Sequence, residues 1–175
     1  MYIYVDASTL IALGTVGELD RLTVFDGRLV VPERVRTEVT FQPAAENLRR
    51  FIEMLEDDGH GVVPDGIDAA SRKRARTVLG ESEHNGDTEI VAAVLWKTDR
   101  DEPIAVVSDD KRVRTVADGL GATVTGTIGV VVRNVVEGEL TANEAKTLVR
   151  RLDDHGLHMT GELRETADDL IDEAS

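Results

Sequence analysis

Six acidic residues stand where short apolar runs end or where the next helical pattern begins. Asp6 closes "YIYVD" at residues 2–6. Glu38 follows the apolar-then-proline start of "VVPERVRTEV", residues 30–39. Asp87 and Glu89 open the Ala-rich stretch "GDTEIVAAVL", and Asp109 and Asp110 follow "IAVVS". Each alone reads as a helix cap or a first-turn acid, the usual companion of a helix N-terminus. Glu38 does not fit that reading, because it lies inside its expected helix between Thr37 and Val39. Carboxylates gathered at one point repel each other and hold protons unless a cation neutralises them. A hard divalent cation such as Mg²⁺ takes oxygen ligands, keeps several waters and touches one or two protein carboxylates. The chain has no Cys, which excludes disulfides and thiolate metal sites. Its four His, at 60, 84, 155 and 158, lack zinc-type pairing, and His84 reads as a solvated loop residue.

For these acids to meet, their segments must end on one edge of a sheet. "YIYVD" (2–6), "RLVVP" (28–32), "IAVVS" (104–108) and "ATVTG" (122–126) read as strands buried on both faces, and "GVVP" (61–64) as a short strand or a loop. Between them lie helical patterns at 8–14 and 17–22, 33–41, 44–57, 68–79, 87–98, 110–119, 127–137, 141–155 and 160–173. Strands alternating with helices imply a three-layer α/β/α sandwich with a mostly parallel sheet of about four to five strands. Parallel strands present their carboxyl ends along one edge, where ligands bind. Residues 139–175 read as a pair of amphipathic helices packed on the domain formed by 1–138.

The 175-residue length suits one compact domain. No apolar run reaches membrane-spanning length, and the N-terminus lacks the pattern of a signal peptide, so a cytoplasmic protein is expected. The net charge of −14 argues against a polyanionic partner. The acids are dispersed, however, and Asp is favoured over Lys, a composition that looks haloarchaeal. In molar salt the reach of surface charge shrinks to about 3 Å.

The order and spacing of these motifs resemble the PIN-domain family, the metal-dependent ribonuclease fold that includes the VapC toxins. The matching residues are Asp6-Ala7-Ser8 after the first strand, Glu38 after "VVPERVRTEV", "GDTEIVAAVL", and Ser108-Asp109-Asp110. "HNGDTEIVAAVL", "SDDKRVRTVADGLG" and "TVTGTIGVVVRNVVEGEL", with the C-terminal helical pair, extend the likeness to a subfamily of prokaryotic PIN proteins. There the third motif is usually G-E-x-E, and here it is Gly86-Asp87-Thr88-Glu89.

The resemblance implies that Asp6, Glu38, Glu89 and Asp110 are the catalytic acids. Asp6, Glu89 and Asp110 would hold Mg²⁺ or Mn²⁺, with Asp87 and Asp109 as further candidate ligands. Ser8 and Ser108 match hydroxyl positions that orient an acid or a water. The implied activity is hydrolysis of RNA phosphodiester bonds, as the toxin of a type II toxin–antitoxin pair. A small antitoxin and a second copy of the chain are the implied partners. Lys111, Arg112, Arg114, Arg34 and Arg36 are the bases placed to meet RNA, while "SRKRAR" (71–76) reads first as a solvated face. With aromatics at 3%, base stacking is a poor expectation. The competing reading is a catalytically silent PIN-like module that binds RNA or protein. A receiver-type acid pocket fits less well, because no mid-chain acceptor Asp is evident.

Overall fold

The two central strands consist almost wholly of β-branched and aromatic residues, which suits a pleated layer covered on both sides. In the computed structural model, which describes residues 1–57, 66–157 and 159–175, four strands form one parallel sheet. They are β1 (Tyr2–Val5), β2 (Arg28–Val30), β3 (Ile104–Val107) and β4 (Thr123–Thr125), in the order β2-β1-β3-β4. Tyr2 pairs with both Arg28 and Ile104, and Val107 with Thr125, so all four carboxyl ends face one way. The expected α/β sandwich with a parallel sheet is therefore present. "GVVP" lies outside the described residues.

Only β1 and β3 are buried along nearly their whole length. β4 is exposed at Thr123 and half-buried at Val124 and Thr125, contrary to the expectation of two covered faces. It is an edge strand, and its threonines suit that place.

Nine helices connect and flank the sheet among the described residues: α1 (Ala7–Val16), α2 (Glu33–Glu38), α3 (Ala44–Asp57), α4 (Ala69–Leu79), α5 (Gly86–Thr98), α6 (Lys111–Gly119), α7 (Thr127–Val136), α8 (Ala142–Leu152) and α9 (Gly161–Ala174). The stretch expected as a helix at 17–22 is a 3-10 turn, Leu19–Val24. Gly17 at φ 74° closes α1 before it, as glycine C-caps do. α2 stops at Glu38 rather than at residue 41. Pro43 restricts the residue before it, so the chain cannot continue as helix into α3.

α5 is the middle of one layer. Every residue from Gly86 to Leu95 is buried except Asp87. α8 and α9 join the same hydrophobic core through Leu148, Val149, Leu152, Ala167 and Ile171. Arg151 ties α8 to the end of α1, giving one bond to Glu18 (2.8 Å) and one to the Val16 carbonyl (2.5 Å). Among the described residues no helix is long and apolar enough to cross a membrane.

Candidate active site

β1 and β3 end side by side, and α1 and α6 start there. Asp6 is the N-cap of α1, its Oδ1 accepting the Ala7 N–H at 2.7 Å. That cap alone is worth about 1 kcal/mol. Its second oxygen has a different role. Ser8 Oγ donates to Asp6 Oδ2 at 2.8 Å, and Ser108 Oγ donates to the same atom at 2.7 Å. The two hydroxyls accept in turn the N–H groups of Asp109 (3.0 Å) and Asp110 (3.1 Å). The end of the first strand and the turn after the third are thus tied through one carboxylate that is 2% exposed.

The two adjacent acids of that turn diverge. Asp109 faces α7, accepting the Thr127 N–H at 2.8 Å and the Thr127 hydroxyl at 2.5 Å. Gly126 makes this approach possible, since a Cβ there would stand 2.7 Å from Asp109 Oδ1. Asp110 caps α6, with Oδ1 accepting the N–H groups of Arg112 (2.7 Å) and Val113 (3.0 Å), and the residue is exposed.

Glu38 is the last residue of α2, not an interior one. An acid at a helix C-terminus is electrostatically unfavourable for that helix. Its partner explains the placement: Glu38 Oε1 accepts the Gly86 N–H at 2.7 Å, at the positive end of α5. The carboxylate lies so close that a Cβ on Gly86 would meet Oε2 at 2.6 Å. α5 is also secured by a reciprocal cap, in which Asn85 and Thr88 exchange side-chain and backbone bonds.

Asp87 lies within the field of the acids named so far, except Asp109. Burial, then the charges of Asp6 and Asp110, and finally that of Glu38, push its carboxyl up to about 6 from 3.8, against the opposing pull of Arg112. Arg112 Nη2 stands 3.5 Å from it but is bonded more closely to Glu81 at 2.5 Å.

Glu89, two residues on, is elsewhere. It is 2% exposed and held by Arg72, whose Nη2 and Nε donate at 2.8 and 3.2 Å, and by His84 Nε2. The other His84 ring nitrogen meets Thr88 Oγ1 at 3.0 Å. His84 is therefore half-buried and engaged rather than a solvated loop residue. The charges of Asp6, Asp110 and Glu38 all reach Asp87, whereas Glu89 is bonded to Arg72 of α4 and to His84. Sequence reasoning did not single out Gly86 or Arg72. Gly86 was signalled by the G-D-x-E spacing, whereas Arg72 was hidden in a basic run.

The candidate RNA-facing bases scatter. Arg112 and Lys111 are exposed at the start of α6, and Arg114 is half-buried near Gly126. Arg34 shares a cleft with Arg72 and Glu89, while Arg36 faces the α2–α3 cleft and pairs with Glu33 at 3.4 Å. In "SRKRAR", Arg72 and Arg74 are spent on Glu89 and Asp99. A cavity of about 790 Å³ lies at Phe25, Arg28 and Met54, and its lining contains none of these acids.

A family profile described as "DUF3368: PIN domain" matches residues 2–173. The chain belongs to the PIN-domain family. Searches of curated proteins and of solved structures find no match. PIN domains are generally nucleases, bind nucleic acid and typically use divalent metal ions. In this PIN domain Asp6, Glu38, Asp87 and Asp110 offer only oxygen donors, and the Asp87 carboxyl is pushed up first by burial and then by the charges of Asp6 and Asp110. That donor set fits a hard divalent cation. Among the described residues no three Asp, Glu or His side chains are already closed around one point. Such preassembly is not required of Mg²⁺, which makes most of its contacts to water.

Proposed function

We propose that this PIN domain hydrolyses RNA phosphodiester bonds with the aid of Mg²⁺ or Mn²⁺. The observation that carries the reading is the electrostatic coupling of Asp87 to Asp6, Asp110 and Glu38, carboxylates delivered by four separate segments. In this reading Asp6, Asp87 and Asp110 hold the cation, and Asp87 takes the third position of the family's acid set in place of Glu89. The cation, when bound, supplies charge neutralisation at the phosphate and acidifies water. Glu38 is fixed by the Gly86 N–H through Oε1, which leaves Oε2 to accept a proton from the attacking water. Ser8 and Ser108 hold the Asp6 carboxylate in one orientation. Lys111 and Arg112, exposed beside Asp110, meet the backbone of the bound strand. The same reading makes the chain the toxin half of a pair, with a small antitoxin and a second copy as partners, roles that the family resemblance alone supports.

The test is cleavage of single-stranded RNA with Mg²⁺ or Mn²⁺, at low and at molar KCl, with and without chelator. Cleavage is expected with the cation and none with chelator. Asp110→Asn should cost more than about a hundredfold, since even residues that only support metal ligands cost 10–100-fold. Its amide oxygen can still cap α6, so the fold is expected to remain. Cleavage undiminished by both chelator and this variant rejects the proposal.

Gly86 offers a second check. Gly86→Ala favours helix by up to about 1 kcal/mol, yet its Cβ would displace the Glu38 carboxylate from 2.6 Å. We expect an unchanged or raised melting temperature together with a kcat about tenfold lower, on the scale of lost general-base alignment. An unchanged kcat would remove Glu38 from the mechanism.

A further inference from the structure

A cavity of about 350 Å³ opens beside the acids, between the first turns of α1, the Asp109–Asp110 turn and the irregular turn Asp153–Leu157 that follows α8. Its volume falls in the range of small-molecule sites. Ser8 and Asp110 belong both to this cavity and to the acid site, and Ser8 Oγ is 2.8 Å from Asp6 Oδ2. The cavity is therefore continuous with the place where chemistry is proposed, one hydrogen bond away from Asp6.

Its lining is divided. Ile11, Ala12 and Leu157 give an apolar part packed against the core. Ser8, Asp110 and His155 give a polar edge, and among the described residues no Lys or Arg lines it. Carboxylates without a base repel a phosphate but accept hydrogen bonds from a neutral ring bearing N–H groups. A flat apolar face with hydrogen-bonding edges describes a nucleobase. His155 supplies the aromatic plane: it is exposed, at φ −113° and ψ 18°, just before Gly156 at φ 122°. The turn that presents it is braced. Asp153 Oδ1 accepts the Met159 N–H at 2.9 Å, Asp153 pairs with Arg164 of α9, and Arg151 ties α8 to α1.

We infer that this cavity is a base subsite, in which the unpaired base of a nucleotide flanking the scissile phosphate stacks on His155. The inference rests on the nuclease reading for what happens to the neighbouring phosphate. It adds the substrate class: the base must be free of a duplex to enter, so the strand is single or looped. It also gives the C-terminal helical pair a role beyond core packing, since the turn following α8 forms one wall of the substrate channel. His155 is a positioning residue whose effect falls on affinity.

The experiment titrates the full chain, with Mg²⁺, with each of four RNA hexamers (U6, C6, A6, G6). It follows the His155 ring resonance, assigned through His155→Ala, and runs the same samples on a gel for cleavage. At least one hexamer is expected to shift the resonance. His155→Ala should raise KM for that hexamer about tenfold with kcat unchanged, the scale of one lost base–aromatic stack. His155→Phe should restore the affinity, which a merely structural role would not predict. A shifted resonance without cleavage supports the subsite and refutes the nuclease reading. Cleavage with an unmoved resonance, or with KM unchanged in His155→Ala, overturns the subsite and leaves the nuclease. Neither shift nor cleavage overturns both.

Discussion

Asp87→Asn is expected to abolish RNA cleavage while making the cation-free protein melt at a higher temperature. The first half follows if Asp87 is the third acid of the site, and the loss should exceed about a hundredfold. The second half follows from its neighbours. Folding raises the Asp87 pKa from 3.8 to about 6. A group raised on folding contributes stability that is complete below its unfolded pKa and is lost as pH rises through its folded one. In chelator, wild type should therefore lose stability relative to Asp87→Asn between about pH 4 and pH 6, and stay below it at pH 7. Adding Mg²⁺ should raise the wild-type melting temperature and move the variant much less. Thermal melts at several pH values, with chelator and with Mg²⁺, read all of this. A variant less stable than wild type at pH 7 in chelator would show that burial and the neighbouring charges do not raise the Asp87 pKa.

Glu89→Ala is expected to behave in the opposite way. Glu89 is buried against Arg72 and His84, and its removal takes a buried carboxylate partner from a guanidinium that is 36% exposed. Breaking a buried pair costs 3–5 kcal/mol, and partial exposure of Arg72 puts the effect at the lower end, about 3 kcal/mol. For a chain of this size that is roughly 6–12 °C in melting temperature. Chemical denaturation at pH 7 measures it directly. Below the new transition the protein should retain kcat if Asp87, rather than Glu89, is the third acid of the proposed site. If Glu89→Ala leaves stability intact and abolishes cleavage, the roles given to Asp87 and Glu89 must be exchanged.

That contrast marks the limit of what the sequence could reveal. Asp6 and the Asp109–Asp110 pair were legible because apolar runs of four or five residues end on them, and a parallel sheet carries such ends to one edge. The choice between Asp87 and Glu89 was not. Two residues apart on an α-helix means about 200° apart, so the two side chains leave the helix on different sides. An amphipathic stripe would have told which, but α5 is apolar on nearly every side and carries no such mark. Asp109 and Asp110 posed the same problem, which Thr127 resolves from 17 or 18 residues away. Glu38 stood out in the sequence as an interior helix residue, which it is not. It does not cap its own helix, but it ends that helix and serves the next one across the site. The pairing of Arg72 with Glu89 left no local signal, because the two lie 17 residues apart on different helices.

The two serines on Asp6 have a consequence for how that residue can be probed. Each hydroxyl has a single hydrogen, both are spent on Oδ2, and a main-chain amide of the next turn donates to each hydroxyl oxygen from the other side. Polarity therefore runs one way through the whole assembly, from amide to hydroxyl to carboxylate. An asparagine at position 6 has only one oxygen to offer, while donors approach from both ends of the group. Whichever way the amide turns, an N–H stands where the carboxylate offered oxygen, so either the Ala7 N–H loses its acceptor or both serine hydroxyls must turn their hydrogens away.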